Sequence, residues 1–131
     1  MSSTGYVVFA HGSSVESANE AVRAVAAELR RQGGYDAVEA AFLEGGKPDL
    51  RSAVELLAAR GSTRIVVIPY FLTLGLHLQR DLPRIANEIR SAHPELEIQI
   101  TAPLDGHPAM VEALLGRARE AQENLHASKI D

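Results

Sequence analysis

The chain has 131 residues, 46% of them hydrophobic and 23% charged, with 13 Lys and Arg against 17 Asp and Glu for a formal net charge of -4. This size and apolar content fit one globular domain and exclude intrinsic disorder, and the acidic balance argues against a nucleic-acid-binding surface. Cysteine is absent, which excludes disulfides, thiolate ligands, iron–sulfur clusters and a cysteine nucleophile, and suits a reducing compartment.

The first residues, Met1-Ser2-Ser3-Thr4-Gly5, lack the basic region of a signal peptide and run straight into an apolar strand at 6–10. Val15, Ala18, Val22, Val25, Ala26 and Leu29 then recur with helical period, predicting a helix over 15–32 that Gly33-Gly34 stops. A second strand is expected at 37–42, ending at Leu43-Glu44-Gly45-Gly46. Pro48 is expected in the first turn of the next helix, whose stripe is Leu50, Ala53, Val54 and Leu57 and which Gly61 closes. The third strand, 64–70, is continuous and β-branched, as in a strand covered on both faces. Asp81 is expected to cap the third helix, with Pro83 in its first turn, Leu82, Ile85 and Ile89 facing inward, and Pro94 ending it. A fourth strand at 97–102 precedes a helix opened by Pro108, with Val111, Leu114, Leu115, Ala118 and Leu125 as its stripe and fraying expected beyond about residue 125.

Strands alternating with helices of this length predict right-handed crossovers and a parallel sheet. The expected fold class is therefore α/β: a single three-layer domain over 1–131, core about 6–125, with a four-stranded, mainly parallel sheet flanked by helices. The longest apolar stretch, 65–76, contains Pro69 and Gly75 and falls short of the roughly 20 residues a bilayer demands. A soluble, cytoplasmic protein is expected, with no membrane and no nucleic-acid partner.

The chemistry-bearing positions cluster at strand ends. His11 ends the first strand, and His77 follows the third after Thr73-Leu74-Gly75-Leu76. In open α/β sheets the carboxyl ends of the strands form the ligand-binding edge, so two imidazoles delivered there from two strands can share one site. Imidazole is a base at neutral pH and a ligand for cobalt, nickel, iron and zinc, which points to metal or proton-transfer chemistry. Gly12 lets the backbone turn, and Ser13 and Ser14 can cap the following helix, whose free N–H groups suit a carboxylate or phosphate. Glu44 exits the second strand at the same edge and would complete a two-nitrogen, one-oxygen set. The plainer readings are a loop histidine bonded to a carbonyl and a solvated turn glutamate.

The remaining candidates rank lower. His107, before Pro108, reads as a helix N-cap; His93 reads as a partner of a helix dipole, and His126 as part of the tail. Arg23, Glu28, Arg30 and Arg31 read as the solvated face of the first helix. There is no Walker A sequence, no Gly-x-Gly-x-x-Gly and no Gly-x-Ser-x-Gly elbow, and Ala10 stands where a histidine phosphatase has arginine.

In order, Val7-Val8-Phe9-Ala10-His11-Gly12-Ser13, Ala41-Phe42-Leu43-Glu44, Pro69-Tyr70-Phe71-Leu72 with Gly75-Leu76-His77, Asp81-Leu82-Pro83 and Pro103-Leu104-Asp105-Gly106-His107-Pro108 resemble the class II chelatases. Within that group the chain looks like the short, single-domain CbiX type, sirohydrochlorin cobaltochelatases of the anaerobic cobalamin pathway, over about residues 6–120. The resemblance implies insertion of a divalent metal, foremost cobalt, into sirohydrochlorin, with His11 and His77 as metal-binding and catalytic histidines and Glu44 as their acidic partner. It implies no organic cofactor and, because larger relatives carry two facing lobes, a homodimer. Many relatives have arginine after His-Gly-Ser; Ser14 stands there here, and Arg80, near His77, is the candidate replacement for holding a substrate carboxylate beside Gly12, Ser13 and Ser14. Nickel or iron insertion, or a non-catalytic metal or tetrapyrrole carrier on the same fold, are the alternatives.

Overall fold

A computed structural model describes the backbone of residues 3–130 and the side-chain surroundings of residues 3–124. Eight elements alternate along the chain: β1 (Thr4–Ala10), α1 (Glu16–Gly33), β2 (Val38–Phe42), α2 (Leu50–Ala59), β3 (Arg64–Pro69), α3 (Leu76–Ala92), β4 (Glu97–Ile100) and α4 (Ala109–Ile130). The strand order is β2-β1-β3-β4 and every pairing is parallel, so the expected sheet is obtained without an antiparallel edge. The chain steps from β1 to β2 on one side, then returns to place β3 on the other. The gap between the carboxyl ends of β1 and β3 is therefore the topological switch point, where open parallel sheets bind ligands. Phe9 is level with both Ala41 and Pro69, so the three strands reach that edge together.

Alternating side chains divide the apolar residues between two faces. On one face Val7, Phe9, Ala41, Ile65 and Val67 pack with Leu50, Val54 and Leu57 of α2 and Leu78, Leu82 and Ile89 of α3. On the other, Val8, Ala10, Ala40 and Phe42 pack with Ala26, Val22 and Leu29 of α1. The stripe expected on α2 is buried as expected.

The expectations for α1, α2, α3 and β3 need correction. In α1, Val15, Ala18 and Val25 are exposed, and the inward positions are Asn19, Val22, Ala26 and Leu29. The valines resemble core residues, but the close approach of α1 to the sheet selects the small Ala26 and a bonded Asn19 instead. Pro48 lies outside α2, after a cis Lys47–Pro48 bond, and Asp49 caps the helix by accepting the Ser52 N–H at 2.8 Å. α3 starts at Leu76, with Gly75 as its N-cap, so Asp81 and Pro83 are internal to it. The third strand is not covered on both faces: Ile65, Val67 and Pro69 are buried, whereas Arg64, Val66 and Ile68 are half-buried.

That bare half-face has a counterpart in α4. Val111, Leu114 and Leu115 form the expected helical stripe, yet all three are exposed. Leu125 of the same stripe, and the residues expected to fray after it, lie outside the described side chains. No helix among the described residues is long and apolar enough to cross a membrane.

Candidate functional site

The loop after β2 extends the pairing of β2 with β1 beyond the sheet. Leu43 N–H donates to Ala10 O at 2.9 Å and Glu44 N–H to His11 O at 3.0 Å, which brings Glu44 beside His11. The backbones then approach more closely than side chains permit. Gly12 has φ +89, and a Cβ there would sit 1.7 Å from Glu44 O; Gly45 has φ +69, and its Cβ would fall 2.8 Å from the Ser13 carbonyl carbon. Glycine at both positions meets the backbone geometry and the close approach together.

Within this frame His11 Nδ1 lies 3.2 Å from Gly12 O, a contact that places its proton on Nδ1 because a carbonyl only accepts. In that tautomer Nε2 carries a free lone pair, and it faces Glu44 Oε1 at 3.7 Å. Two electron-rich atoms at this separation suit a cation or a shared proton between them. A backbone carbonyl on the second nitrogen is the usual way a metal-ligating imidazole is oriented. The Phe71 ring meets His11 edge-on, with centroids 6.5 Å apart, and steadies the imidazole from the loop after β3. The His11 and Glu44 side chains are 60% and 71% exposed, so a large substrate can reach them.

His77 is exposed in the first turn of α3, not in a loop, because that helix starts early. Its placement at the helix following β3 puts it on the other strand of the switch point. It forms no hydrogen bond or ion pair with His11 or Glu44, and no group of three or more His, Asp or Glu among the described residues is close enough to hold an ion. His11 and Glu44 are thus brought together, whereas His77 stands apart. Arg80 is three residues on, on the same helix face, exposed, and without an ion pair among the described residues.

The two serines do not cap α1. Its N-cap is Val15, without a side-chain cap, and Ser13 Oγ accepts only the Val15 N–H at 3.0 Å. The Ser13 N–H is itself taken, donating to Asn19 Oδ1 at 2.9 Å. Among the described residues this leaves the Gly12 and Ser14 N–H groups to meet a substrate oxygen. Glu16 occupies the first turn of α1, and its hydrogen bond to Arg23 holds its carboxyl below the usual range.

Sequence reasoning missed Asn19, which is 1% exposed, and misread Arg23. Arg23 is half-buried. It pairs with Glu16 at 2.6 Å and with Glu20, donates to Lys47 O at 3.0 Å and lies over the Phe42 ring, so it fastens α1 to the loop after β2. The signal for Asn19 was a lone amide at the spacing of the buried stripe 19, 22, 26 and 29. His107 does act at a helix start, its Nδ1 accepting the Ala109 N–H at 3.1 Å. His93 caps α3 and also bonds Glu55 of α2 at 2.8 Å, which lowers the Glu55 pKa; a dipole partner alone does not describe it. The side chain of His126 lies outside the described residues. A concavity of about 530 Å³ at the opposite edge is lined by Arg30, Asp36, Glu39 and Arg60, but its Arg60 is paired with Glu39 at 2.8 Å and it holds none of the histidines.

The profile of the CbiX family matches residues 5–121. A sirohydrochlorin cobaltochelatase of Sulfolobus acidocaldarius is 31% identical over 117 residues, covering 89% of this chain and 91% of the relative. The chloroplastic sirohydrochlorin ferrochelatase of Arabidopsis thaliana is 28% identical over 121 residues, 92% of this chain and 54% of that protein. The crystal structure of the sirohydrochlorin chelatase SirB of Bacillus subtilis subspecies spizizenii in complex with cobalt superposes with a TM-score of 0.83 at 24% identity, over 90% of this chain and 50% of SirB. The chain thus spans about half the length of the last two proteins and nearly all of the first.

Proposed function

The chain belongs to the CbiX family, and from that premise we propose that it is a chelatase inserting a divalent metal, cobalt foremost, into sirohydrochlorin. The observation that carries the reading is the His11–Glu44 pair: Nε2 3.7 Å from a carboxylate oxygen, with Nδ1 3.2 Å from a backbone carbonyl that can only accept. The donor set of imidazole and carboxylate accepts cobalt, nickel and iron alike, so the choice of cobalt rests on the Sulfolobus acidocaldarius relative.

Insertion exchanges the two pyrrole protons of the free macrocycle for one divalent cation, so the site must take up protons and release a metal. Glu44 and His11 meet the incoming ion with two ligands, few enough to surrender it to four pyrrole nitrogens. Once the ion has moved on, His11 Nε2 is free to accept a pyrrole proton and pass it to solvent, which the exposure of the pair permits. His77 serves the second proton from the β3 side of the crevice. Leu72 and Leu76, 62% and 81% exposed in the segment between Phe71 and His77, offer apolar surface to the flat ring. The Gly12 and Ser14 N–H groups and Arg80 are assigned to the peripheral carboxylates. No organic cofactor enters the scheme.

The proposal includes a homodimer in the cytoplasm. One chain supplies an open edge, and the relatives of twice the length support a second, facing unit. The exposed stripe Val111, Leu114 and Leu115 and the half-bare face of Val66 and Ile68 favour the same conclusion, because a second copy can cover both.

The test is anaerobic incubation of catalytic amounts of protein with sirohydrochlorin and Co²⁺, Ni²⁺ or Fe²⁺ in turn, followed by absorption. Many turnovers per chain with cobalt are expected. Stoichiometric conversion only, with every metal, would make the protein a carrier.

A further inference from the structure

Asn19 is a buried polar residue to which neither histidine chemistry nor the sheet assigns a role. It is the fourth residue of α1 and 1% exposed, yet its carboxamide is satisfied on every side. Oδ1 accepts the Ser13 N–H at 2.9 Å, while Nδ2 donates to Ser13 O at 2.8 Å and to Gly45 O at 3.0 Å, with Glu16 Oε2 beyond at 3.4 Å. The orientation is dictated by its surroundings, because a flipped amide would set NH₂ against N–H and oxygen against two carbonyls. Ser13 belongs to the loop after β1, two residues beyond His11; Gly45 belongs to the loop after β2, one residue beyond Glu44. The amide therefore spans the two loops at the point where Gly12 and Gly45 let their backbones touch.

We propose that Asn19 is the positioning residue of the site, its buried carboxamide clamping the loop after β1 to the loop after β2 and so setting the separation of the His11 imidazole from the Glu44 carboxylate. The consequence rests on the reading of His11 and Glu44 as the pair that meets the metal. Both side chains are exposed, and His11 is oriented by Gly12 O of its own loop and by the Phe71 edge, so the distance from His11 to Glu44 follows the backbone beneath the two loops. A fixed distance gives a two-ligand site what affinity it has, since the ordering cost is met before the ion arrives. Asparagine is the residue this demands. An aspartate has the same shape but would present an oxygen to Ser13 O, Gly45 O and Glu16, and an alanine would leave the Ser13 N–H and two carbonyls without partners.

The experiment measures Co²⁺ binding alone, by calorimetry without tetrapyrrole, in a cycle of Asn19→Ala and Glu44→Gln, alongside amide hydrogen exchange. Asn19→Ala is expected to weaken Co²⁺ binding about tenfold or more, as loss of an orienting partner does. In the Glu44→Gln background it is expected to add little, because the distance it sets no longer matters. Equal weakening in both backgrounds would make Asn19 a general structural residue and overturn the proposal, as would unchanged Co²⁺ affinity. If Glu44→Gln alone leaves Co²⁺ binding intact, the reading of the metal pair fails, and the clamp is judged on exchange. In the unmodified protein the Ser13 and Glu44 amides are expected to be protected; in Asn19→Ala both are expected to exchange faster while Val8 is unchanged. Exchange of the Ser13 amide at the rate of an exposed loop in the unmodified protein overturns the clamp whether or not the variant folds.

Discussion

A Cβ built on Gly12 falls 1.7 Å from the carbonyl oxygen of Glu44, so the loop that carries one side chain of the pair excludes any residue but glycine beside the other. Gly12→Ala combines that collision with a φ of +89 that L residues rarely adopt. The expected outcome is a loss of more than about 1 kcal/mol in stability, with metal insertion falling further than the stability loss explains, as the loops are forced apart. Urea denaturation and insertion rates on the same preparation check both parts.

Glu44→Gln is expected to keep the fold and slow insertion at subsaturating metal. The amide preserves size but loses the charge that draws a cation to His11 Nε2. Because Glu44 is 71% exposed, no core packing is lost. Initial rates across a cobalt series are expected to show a raised half-saturation concentration with much of the limiting rate retained. Identical curves would return Glu44 to the role of a solvated turn residue.

The acid limb of stability is set in part by Asp49, whose carboxyl accepts the Ser52 N–H at the start of α2 and is held below its ordinary value chiefly by that bond. A depressed carboxylate stabilises the fold above its unfolded pKa, and that contribution is lost as pH falls through its lower folded value. Asp49→Ala is therefore expected to cost about 1 kcal/mol at neutral pH and progressively less in acid. Glu16, Glu28 and Glu55 are lowered in the same direction through Arg23, Arg31 and His93, and their exposure leaves them with smaller effects. Denaturation midpoints of both proteins from neutral pH down to about pH 2 test the convergence of the curves.

If the proposed dimer forms through α4, Leu114→Arg on its exposed stripe is expected to shift the protein to monomer without unfolding it, since Leu114 is 68% exposed in the single chain. Insertion activity is expected to fall with dissociation, because a lone chain offers only an open edge to the macrocycle. Sedimentation velocity at micromolar concentration reads the change. An unmodified chain that sediments only as a monomer, with ligand present, would contradict the dimer.

The sheet and its edge were legible because β1 and β2 are short apolar runs ended by a marker, His11-Gly12 and Glu44-Gly45, and β3 is a continuous β-branched run. The start of α3 was not. Its first residue, Leu76, is 81% exposed and its cap, Gly75, has no side chain to announce it, while Asp81 and Pro83 imitate a helix start five residues later. In α1 the exposed Val15 and Val25 imitate a core stripe, and the contacts that fix the site run through the polar Asn19 and Arg23. Apolar periodicity does not register a buried amide whose partners come from two loops distant in sequence. The candidate pair of His11 and Glu44 was visible as two strand-end residues; that Gly12 O selects the tautomer was not, since it depends on a distance.

The central claim is that His11 and His77 act from two sides of one crevice on one metal and one macrocycle. It is tested most directly by the multiple-turnover rate of cobalt insertion into sirohydrochlorin for the unmodified protein, His11→Ala, His77→Ala and the double variant, each against the rate of the reagents mixed in buffer. Both side chains are exposed, so all four proteins are expected to fold. Each single replacement is expected to bring the rate close to the buffer background, and the double replacement to cost far less than the product of the two losses, as residues acting as a unit do. A folded His77→Ala protein that inserts cobalt at the unmodified rate would contradict the account and leave His11, with Glu44, as the whole of the site.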